Sequence, residues 1–463
     1  MANENTEAAS GTSAANNQVF IKSKPSEKFF YPLQGVGGSV FIWTFLSGFI
    51  TMYYTNSVMI GAAAVGTMML ISRVLDGFTD IIMGIILEKT NWKMGKGRPW
   101  VLIGAPLVTI GLLMCFHVPA GFSYGQKIIY MYLTYIFIAA IAFTIYGVSM
   151  TTMFTRISTD TKDSGLLSSI FMTCSNVGAT LMYVIAIPIL YKNGINEQSS
   201  WNKVVLIMAA SAFICIVVGT LGCKEKVPQV DVKVEKVPVK TAFLATAKAP
   251  EFWILLVLFA ASYVDSGLTS GGMLYYFTYV LQDINLQTVY SMGNMFFMII
   301  PILLSNLIIR KVDKTKFLRV VLLLSVISGF ARLIAPTNVY AYIALSWITQ
   351  GLHAPVWSLM WVMLTDLVVY IAVKTGIRSE GFISMISSVG TKIGTGLGSA
   401  LVGWLLATGK YDATAAVQGS SAIHAMIVMT IVLPSIMIFI EWLMTMFWKA
   451  DQKTKELISA KAQ

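Results

Sequence analysis

Charged residues and cysteines are scarce in this chain, and both shortages narrow what it can be. Lys, Arg, Asp and Glu make up 12% of its 463 residues, whereas a soluble domain has about 25%. The sequence also lacks a His/Cys metal cluster, a nucleophile elbow and a phosphate-binding loop, which argues against an enzyme. The four cysteines have no spacing typical of metal ligands, so we expect packed thiols. They are Cys115, Cys174, Cys215 and Cys223.

Apolar sequence is abundant instead: 56% of the residues are hydrophobic, and the mean hydropathy is +0.71. Apolar segments long enough to cross a bilayer as helices recur from Gln34 to Trp448. We therefore predict an all-α, polytopic membrane protein with twelve transmembrane helices. The predicted segments are 33–55, 61–87, 100–118, 127–153, 165–192, 202–222, 252–280, 288–310, 317–335, 338–370, 381–408 and 422–448.

The stretch between the sixth and seventh segments has no apolar run long enough to span a membrane, and it alternates Val with Lys, Glu and Pro. The twelve helices therefore divide into two six-helix halves, an arrangement typical of carriers with a substrate site between pseudo-repeats. The predicted units are an N-terminal tail (1–32), a first half (33–222), a central loop (223–250), a second half (251–448) and a C-terminal tail (449–463).

The distribution of basic residues predicts the orientation. With the N-terminus in the cytoplasm, the tails and even-numbered turns hold 26 of the 33 Lys and Arg residues, in agreement with the positive-inside rule. We predict a multi-pass protein of the cell membrane with both termini cytoplasmic. The formal charge of +11 then reflects topology rather than nucleic-acid binding. Residues 1–28 are polar and lack the apolar core of a secretory signal, so we expect a disordered tail.

Asp76 and Asp80 lie four residues apart in the apolar second segment, which places both carboxylates on one helix face. A charge at membrane depth costs roughly 2.5–3.5 kcal/mol even on the mildest scale, so the pair needs a counter-charge. Lys392, in a glycine-rich stretch of the eleventh segment, is the candidate. Either the three residues form a structural ion pair, or Na⁺, Li⁺ or H⁺ competes with Lys392 for the carboxylates. Thr79 and Thr144 could add neutral oxygen ligands.

Five further residues have open roles. Asp265, in the seventh segment, contacts either a substrate or a partner that the sequence does not identify. In the tenth segment, His353 is more typical of a packed core histidine than of a proton relay. Trp357 packs against core or lipid, or stacks on a sugar ring. Asp366 lies near the cytoplasmic end and is expected to gate or cap. Arg73, one helical turn before Asp76, either forms a pair nearby or snorkels.

Two signatures resemble one known family. The first is Arg73, Asp76-x3-Asp80-x3-Gly84, followed by Lys93-x-Gly95-Lys96-Gly97-Arg98-Pro99-Trp100. The second is Thr365-Asp366-x3-Tyr370, then Thr375-Gly376-x-Arg378-x-Glu380-Gly381 and Lys392. Together, over Tyr31 to about Tyr411, the chain resembles the glycoside–pentoside–hexuronide:cation symporters, the melibiose-permease-like branch of the major facilitator superfamily. The resemblance implies the major facilitator fold.

The resemblance also implies a cation site. Its matching residues are Asp76, Asp80, Thr144 and Lys392, with Thr79 where the melibiose carrier has an asparagine. These residues would be the metal ligands when Na⁺ or Li⁺ is the coupling ion. Trp357 matches a tryptophan that lies near the sugar in that family.

The sugar site of the melibiose carrier does not carry over. Positions that hold an aspartate, a second aspartate, a tryptophan and an arginine there are here Val40, Gly147, Thr151 and Met172. Sugars are held through hydrogen bonds to charged or amide groups, so we predict that melibiose recognition is lost. Either the polar contacts have moved, or the ligand is less polar. Candidates for moved contacts are Asp265, Ser149, Asn176, Gln34 and Trp43.

We predict a cation-coupled symporter of a sugar, glycoside or glucuronide that works by alternating access. It would act as a monomer in the bilayer, without a cofactor or a nucleic-acid partner. The basic stretches Lys89–Arg98 and Arg310–Arg319 either form cytoplasmic gate contacts that stabilise the outward-open state or reflect orientation alone. The gating candidates are Arg98, Asp366 and Arg378. Two alternatives stay open. One is a symporter of a lysolipid-like amphipath, since the fold branch includes a sodium-dependent lysophospholipid carrier. The other is a membrane sensor that transports nothing.

Overall fold

The structure, a computed structural model, describes residues 21–158, 160–226, 246–309, 311–375, 380–415, 417–454 and 456. Most of the predicted central loop, the two ends of the chain and the gate candidate Arg378 lie outside these residues.

The described residues form twelve long helices, and no β-strand occurs among them. The all-α prediction is therefore confirmed. Each helix overlaps one predicted segment, although α1 begins at Pro25, well before the predicted start at residue 33. The helices are α1 (Pro25–Ser57), α2 (Ala62–Lys89), α3 (Arg98–Cys115), α4 (Tyr124–Thr155), α5 (Thr161–Asn193), α6 (Gln198–Gly222), α7 (Pro250–Val280), α8 (Leu286–Ile308), α9 (Lys314–Ile334), α10 (Val339–Thr375), α11 (Glu380–Thr408) and α12 (Ser420–Thr454).

Ten of these helices are long and apolar enough to cross a membrane, counted over the described part of the chain. The other two are α2 and α11, which carry the predicted cation site. Hydropathy falls below the level of the other helices where Asp76, Asp80 and Lys392 lie. The charges that mark the site therefore also make its two helices the least typical membrane spans.

Both described ends of the chain lie on one face of the bundle. At the start of α1, Lys28 Nζ lies 2.7 Å from Asp163 Oδ1 at the start of α5. At the end of α12, Lys453 Nζ lies 2.6 Å from Glu251 Oε1 at the start of α7. We call this the terminal face, and the opposite one the distal face.

The first helices of the two halves, α1 and α7, end in the same unusual way. Each closes with a π-helical turn, Tyr53–Ser57 in α1 and Tyr276–Val280 in α7. Each turn is followed by a non-glycine residue with positive φ, Met59 (64°) and Gln282 (57°). Both pairs of positions are separated by 223 residues. This shared ending is a structural sign of the repeat that sequence identity does not reveal.

Hydrogen bonds close the distal face between the halves. The hydroxyls of Thr55 and Tyr275 lie 2.6 Å apart. Asn56 Nδ2 donates to the Tyr279 hydroxyl (2.7 Å), and the Tyr411 hydroxyl donates to Asn56 Oδ1 (2.8 Å). The π-helical ends of α1 and α7 thus meet the turn that follows α11.

Close packing of α2 against α11 extends this closure toward the middle of the bundle. A Cβ atom on Gly66 would lie 2.6 Å from Ala400 O, and one on Gly403 would lie 2.4 Å from Ala62 O. Small residues of this kind allow membrane helices to approach closely. Lys392 on α11 and Asp80 on α2 form an ion pair between the halves in the middle of the bundle. The halves are therefore joined in the middle and at the distal face.

Candidate functional site

Asp76, Asp80 and Lys392 meet in the middle of the bundle. Asp76 and Asp80 lie one turn apart on α2, so their carboxylates point from the same face of that helix. Lys392 reaches both carboxylates from α11 of the other half. Lys392 Nζ lies 2.5 Å from Asp80 Oδ2 and 3.4 Å from Asp76 Oδ2. It also donates a hydrogen bond to Asp76 O (2.8 Å). The ammonium group therefore bridges both carboxylates across the interface.

Two threonines add hydroxyl oxygens to this cluster. The Thr144 hydroxyl, from α4, donates to Asp76 Oδ1 at 2.9 Å and lies 3.2 Å from Thr79 Oγ1. The Asp76 side chain is 9% exposed, whereas that of Asp80 is 32% exposed. Carboxylate and hydroxyl oxygens are the ligands that hard cations prefer. The structure thus brings all five predicted cation-site residues together. We refer to Asp76, Thr79, Asp80, Thr144 and Lys392 as the cation cluster.

Arg73 pairs with the same cluster, a role that the sequence left open. Its Nη1 atom lies 3.5 Å from Asp76 Oδ2, and its guanidinium carbon lies 3.9 Å from the centroid of the Trp43 ring. The three-residue spacing of Arg73 and Asp76 on one helix is the sequence signal for this pair. With Lys392, two positive side chains balance two carboxylates. An arriving cation must therefore displace Lys392 or add to a site that is already neutral.

A cavity of about 370 Å³ adjoins the cation cluster. The predicted residues Trp43, Gly147 and Thr151 line it, beside Asp76 and Lys392. Trp43 packs against Phe143, with their ring centroids 4.6 Å apart. Gly147 and Thr151 therefore border the cation cluster.

A second cavity, of about 340 Å³, lies between the halves and is lined by residues of both. Asp265 supplies a carboxylate, and Trp357 supplies an aromatic face whose ring packs edge-on against Tyr263 (5.2 Å between centroids). A carboxylate, amides and an aromatic ring are the groups that orient a small polar ligand. The polar and aromatic lining includes Asn176, Thr180, Asp265, Asn294, Gln350 and Trp357.

Val40 and Met172 line neither of these two cavities. Val40 is 3% exposed and packs in the core. It lies in the π-helical stretch Val36–Thr44, which rotates its side chains relative to those of an ordinary α-helix. Met172 is exposed on α5. The structure therefore gives these two candidates no place in either cavity in this conformation.

His353 forms a buried pair with Glu441, a residue that the sequence analysis missed. His353 Nε2 lies 2.7 Å from Glu441 Oε2, and both side chains are 0% exposed. On the other side of the ring, Nδ1 lies 3.9 Å from Asp265 Oδ2. Glu441 is a carboxylate in the middle of an apolar segment, and this was the available signal. Asp265 thus lines the second cavity and also faces the histidine.

The gate candidates Arg98 and Asp366 make contacts within their own halves. Arg98 donates to Thr220 O (3.2 Å) and Leu221 O (2.9 Å) at the end of α6. Asp366 forms an ion pair with Lys314 at the start of α9. In this conformation neither residue joins the halves to each other, so a gate that closes in the opposite state stays a prediction.

Comparison with known proteins shows that the chain is similar to membrane transporters along most of its length. The model of the family described as MFS/sugar transport protein matches residues 34–452. The isoprimeverose transporter of Lactiplantibacillus pentosus is 26% identical over 448 residues, covering 94% of this chain and 90% of that protein. The putative glycoside/cation symporter YagG of Escherichia coli (strain K12) is 26% identical over 422 residues, covering 90% and 91%.

A solved structure shares the fold. It is a bacterial homologue of the human lysosomal transporter Spinster in an inward-facing, unoccupied conformation. The TM-score is 0.67 at 14% sequence identity, and the superposition covers 92% of this chain and 98% of that one.

Proposed function

Because the chain belongs to the MFS/sugar transport protein family, in its glycoside–pentoside–hexuronide:cation symporter branch, we propose that it imports a glycoside together with a cation, Na⁺, Li⁺ or H⁺. It is a multi-pass membrane transporter rather than an enzyme, and transporters of this kind need no cofactor. We place it in the cell membrane, where it would act as a monomer. The basic residues at the terminal face indicate that this face lies in the cytoplasm.

One observation carries this proposal: the cation cluster draws its parts from both halves. The carboxylates lie on α2 of the first half, and Lys392 lies on α11 of the second, 2.5 Å from Asp80. An Na⁺ ion that takes the place of the ammonium group removes this bond between the halves. Cation binding thereby changes the contact on which the relative position of the halves depends, which is the physical basis of coupling.

The lining of the second cavity favours a glycoside as the cargo. Asp265 accepts hydrogen bonds from hydroxyls, as bidentate sugar recognition requires. Asn294 and Gln350 can both donate and accept, and Trp357 offers a face for the sugar ring. These groups lie on α7, α8 and α10 of the second half, whereas the family positions on α4 are Gly147 and Thr151. The sugar contacts would thus have moved from the first half to the second.

The distal contacts support an inward-open state for this conformation. The hydrogen bonds of Asn56 with two tyrosines, Tyr279 and Tyr411, hold the distal face shut. The close packing of α2 against α11 at Gly66 and Gly403 has the same effect. With the terminal face in the cytoplasm, the closed side is the extracellular one. Reopening that side requires these contacts to break while others form on the terminal face, which is the exchange that alternating access describes.

Uptake into proteoliposomes tests the proposal. The full-length protein would be reconstituted, and uptake of labelled isoprimeverose and other glycosides would be measured with and without an inward Na⁺ or Li⁺ gradient. We expect uptake that the gradient stimulates, and loss of that stimulation in Asp76→Asn and Lys392→Ala. The matched controls are Glu197→Gln and Lys203→Ala, which change exposed residues at the start of α6.

Four outcomes would contradict the proposal in different ways. Uptake that ignores every cation gradient removes the coupling. Uptake of a lysophospholipid in preference to glycosides favours the amphipathic cargo. The absence of uptake for every compound, in a protein that stays folded, favours the sensor. Stimulation that survives both Asp76→Asn and Lys392→Ala would remove the assignment of the site.

A further inference from the structure

Asp265, His353 and Glu441 converge from three helices of the second half, α7, α10 and α12. The imidazole lies between two carboxylates, with Nε2 2.7 Å from Glu441 Oε2 and Nδ1 3.9 Å from Asp265 Oδ2. His353 and Glu441 are fully buried, whereas Asp265 lines the cavity of about 340 Å³. None of the three belongs to the cation cluster, and the proposed coupling by Na⁺ leaves them unexplained.

A neutral histidine leaves two acceptor groups of this triad facing each other, because its one N–H is used in the hydrogen bond with Glu441. A neutral imidazole has a single N–H, and donating it from Nε2 to Glu441 leaves a lone pair on Nδ1. That lone pair faces an Asp265 carboxylate, which is also an acceptor. An additional proton, on Nδ1 or on Asp265, turns this repulsion into a donor–acceptor pair. Consistently, His353 Nδ1 and Glu441 Oε1 are buried and form no hydrogen bond within the described part of the chain.

The charges around the triad also favour an additional proton on it. Arg332, at the end of α9, is 3% exposed and acts electrostatically on Asp265. With the additional proton, Arg332 and the imidazolium balance the two carboxylates. Without it, one negative charge stays uncompensated in an apolar interior, which is costly. Other titratable groups on the packed helices include the phenols Tyr263, Tyr276, Tyr290 and Tyr342 and, on α11, Lys392 of the cation cluster.

We propose that Asp265, His353 and Glu441 together hold one proton and form a proton-binding site separate from the cation cluster. Since Asp265 is the member that lines the cavity, the proton exchanges with water through it. A glycoside seated on Asp265 covers this route and shifts the proton to His353, because hydrogen bonds from substrate hydroxyls favour the ionised form of the carboxylate. The proton would then travel with the substrate. This last step rests on the proposed symport, whereas the proton site itself does not.

Thermal unfolding of the purified, substrate-free protein across a pH series tests the site. The folded state holds the shared proton, so stability should be present at lower pH and be lost as rising pH removes the proton. Glu441→Gln takes away one carboxylate and with it the need for that proton. We expect the melting temperature of the wild type to fall between neutral and alkaline pH by about 2–4 °C more than that of Glu441→Gln.

Matched variants separate this effect from general alkaline destabilisation. Glu197→Gln, at an exposed position, should behave as the wild type does, and so should His424→Gln, whose ring contacts only Ser420 O of its own turn among the described residues. Should Glu441→Gln fail to fold, Asp265→Asn removes the other carboxylate and gives the same expectation. Identical pH profiles in wild type, Glu441→Gln and Asp265→Asn would overturn the proposal. Because no substrate is used, a failure of glycoside uptake leaves this result standing, and the two proposals fail separately.

Discussion

Lys392 Nζ and Asp80 Oδ2 lie 2.5 Å apart, across the boundary between the two halves of the transporter. The neighbouring carboxylate is held differently: Asp76 contacts Arg73 and Thr144 as well as Lys392. The two carboxylates are thus not equivalent. Asp76 is fixed within the first half, whereas Asp80 is more exposed and is the closer partner of the lysine.

This asymmetry predicts different effects for the two carboxamide variants. Asp80→Asn leaves the fixed carboxylate in place, so the apparent Na⁺ affinity should fall by roughly tenfold to a hundredfold, the equivalent of about 1.5–3 kcal/mol for a hydrogen bond to a charged group. Asp76→Asn should remove Na⁺ stimulation altogether. The measurement is the Na⁺ concentration that half-activates uptake. A greater loss in Asp80→Asn than in Asp76→Asn would contradict this ranking.

The Thr144 hydroxyl donates to Asp76 Oδ1, and its removal should weaken cation binding without abolishing it. We expect Thr144→Val to raise the half-activating Na⁺ concentration by about tenfold. This change corresponds to the lower end of the free-energy range of a hydrogen bond to a charged group. Thr152→Val is the control, since Thr152 lies on the same helix and donates to its own backbone at Val148 O. Equal Na⁺ affinities in the two variants would exclude Thr144 from the site.

Gly403 should be needed for closure of the distal face. A Cβ atom at this position would lie 2.4 Å from Ala62 O, and that backbone oxygen cannot move aside as a flexible side chain would. Gly403→Ala should therefore hold α2 and α11 apart and reduce transport at least tenfold. A Thr391→Cys reporter, which lines the cavity beside the cation cluster, should be labelled more slowly from the terminal side. Gly125→Ala, in the first turn of α4, meets no atom within 4 Å and is the control. Normal transport by Gly403→Ala would contradict the closure described here.

Tyr411 should favour the same closed distal face through its hydrogen bond to Asn56 Oδ1. Burial, together with Tyr275 and Tyr279, raises the pKa of Tyr411, so the phenol stays a donor at alkaline pH. Tyr411→Phe should shift the population toward the outward-open state by about fivefold, the equivalent of about 1 kcal/mol for one hydrogen bond. Distances between spin labels on the terminal face would report the shift. Tyr191→Phe, at an exposed position on α5, should give the wild-type distribution.

Trp357 should affect the cargo and leave the cation unaffected. Trp357→Ala removes the aromatic face of the second cavity, and we expect the KM for a transported glycoside to rise by roughly fivefold to tenfold. Trp357→Phe should restore part of the affinity, and the half-activating Na⁺ concentration should stay unchanged in both. Trp253→Phe, which alters an exposed tryptophan on α7, is the control. A parallel change in Na⁺ affinity would indicate a structural role for Trp357.

The cation cluster was accessible to sequence reasoning because charges are rare in apolar helices. Asp76, Asp80 and Lys392 each stand out against their segments, and electroneutrality requires that such charges find one another. The helical period then fixes the faces of α2. The same reasoning did not predict the role of Arg73, because a long side chain on a known helix face can still form an ion pair, stack on a ring or snorkel. Its contact with the Trp43 ring depends on how close α1 lies to α2, which only packing decides.

Two other parts of the site could not be obtained from the sequence. Family correspondence placed Val40 at a sugar contact, yet the π-helical stretch around it turns this side chain into the core. Glu441 was overlooked because a single carboxylate carries no information about its partner, which here comes from a helix 88 residues earlier in the chain. The direction of the Val40 side chain and the pairing of Glu441 with a distant helix are both set by how the helices pack, which the sequence does not specify.

The bond from Lys392 to the carboxylates also bears on how the empty transporter returns. In the proposed mechanism its ammonium group takes the place of the coupling ion in the empty transporter, so an unloaded molecule would reorient with both carboxylates already neutralised. The return step would then require no ion at this site.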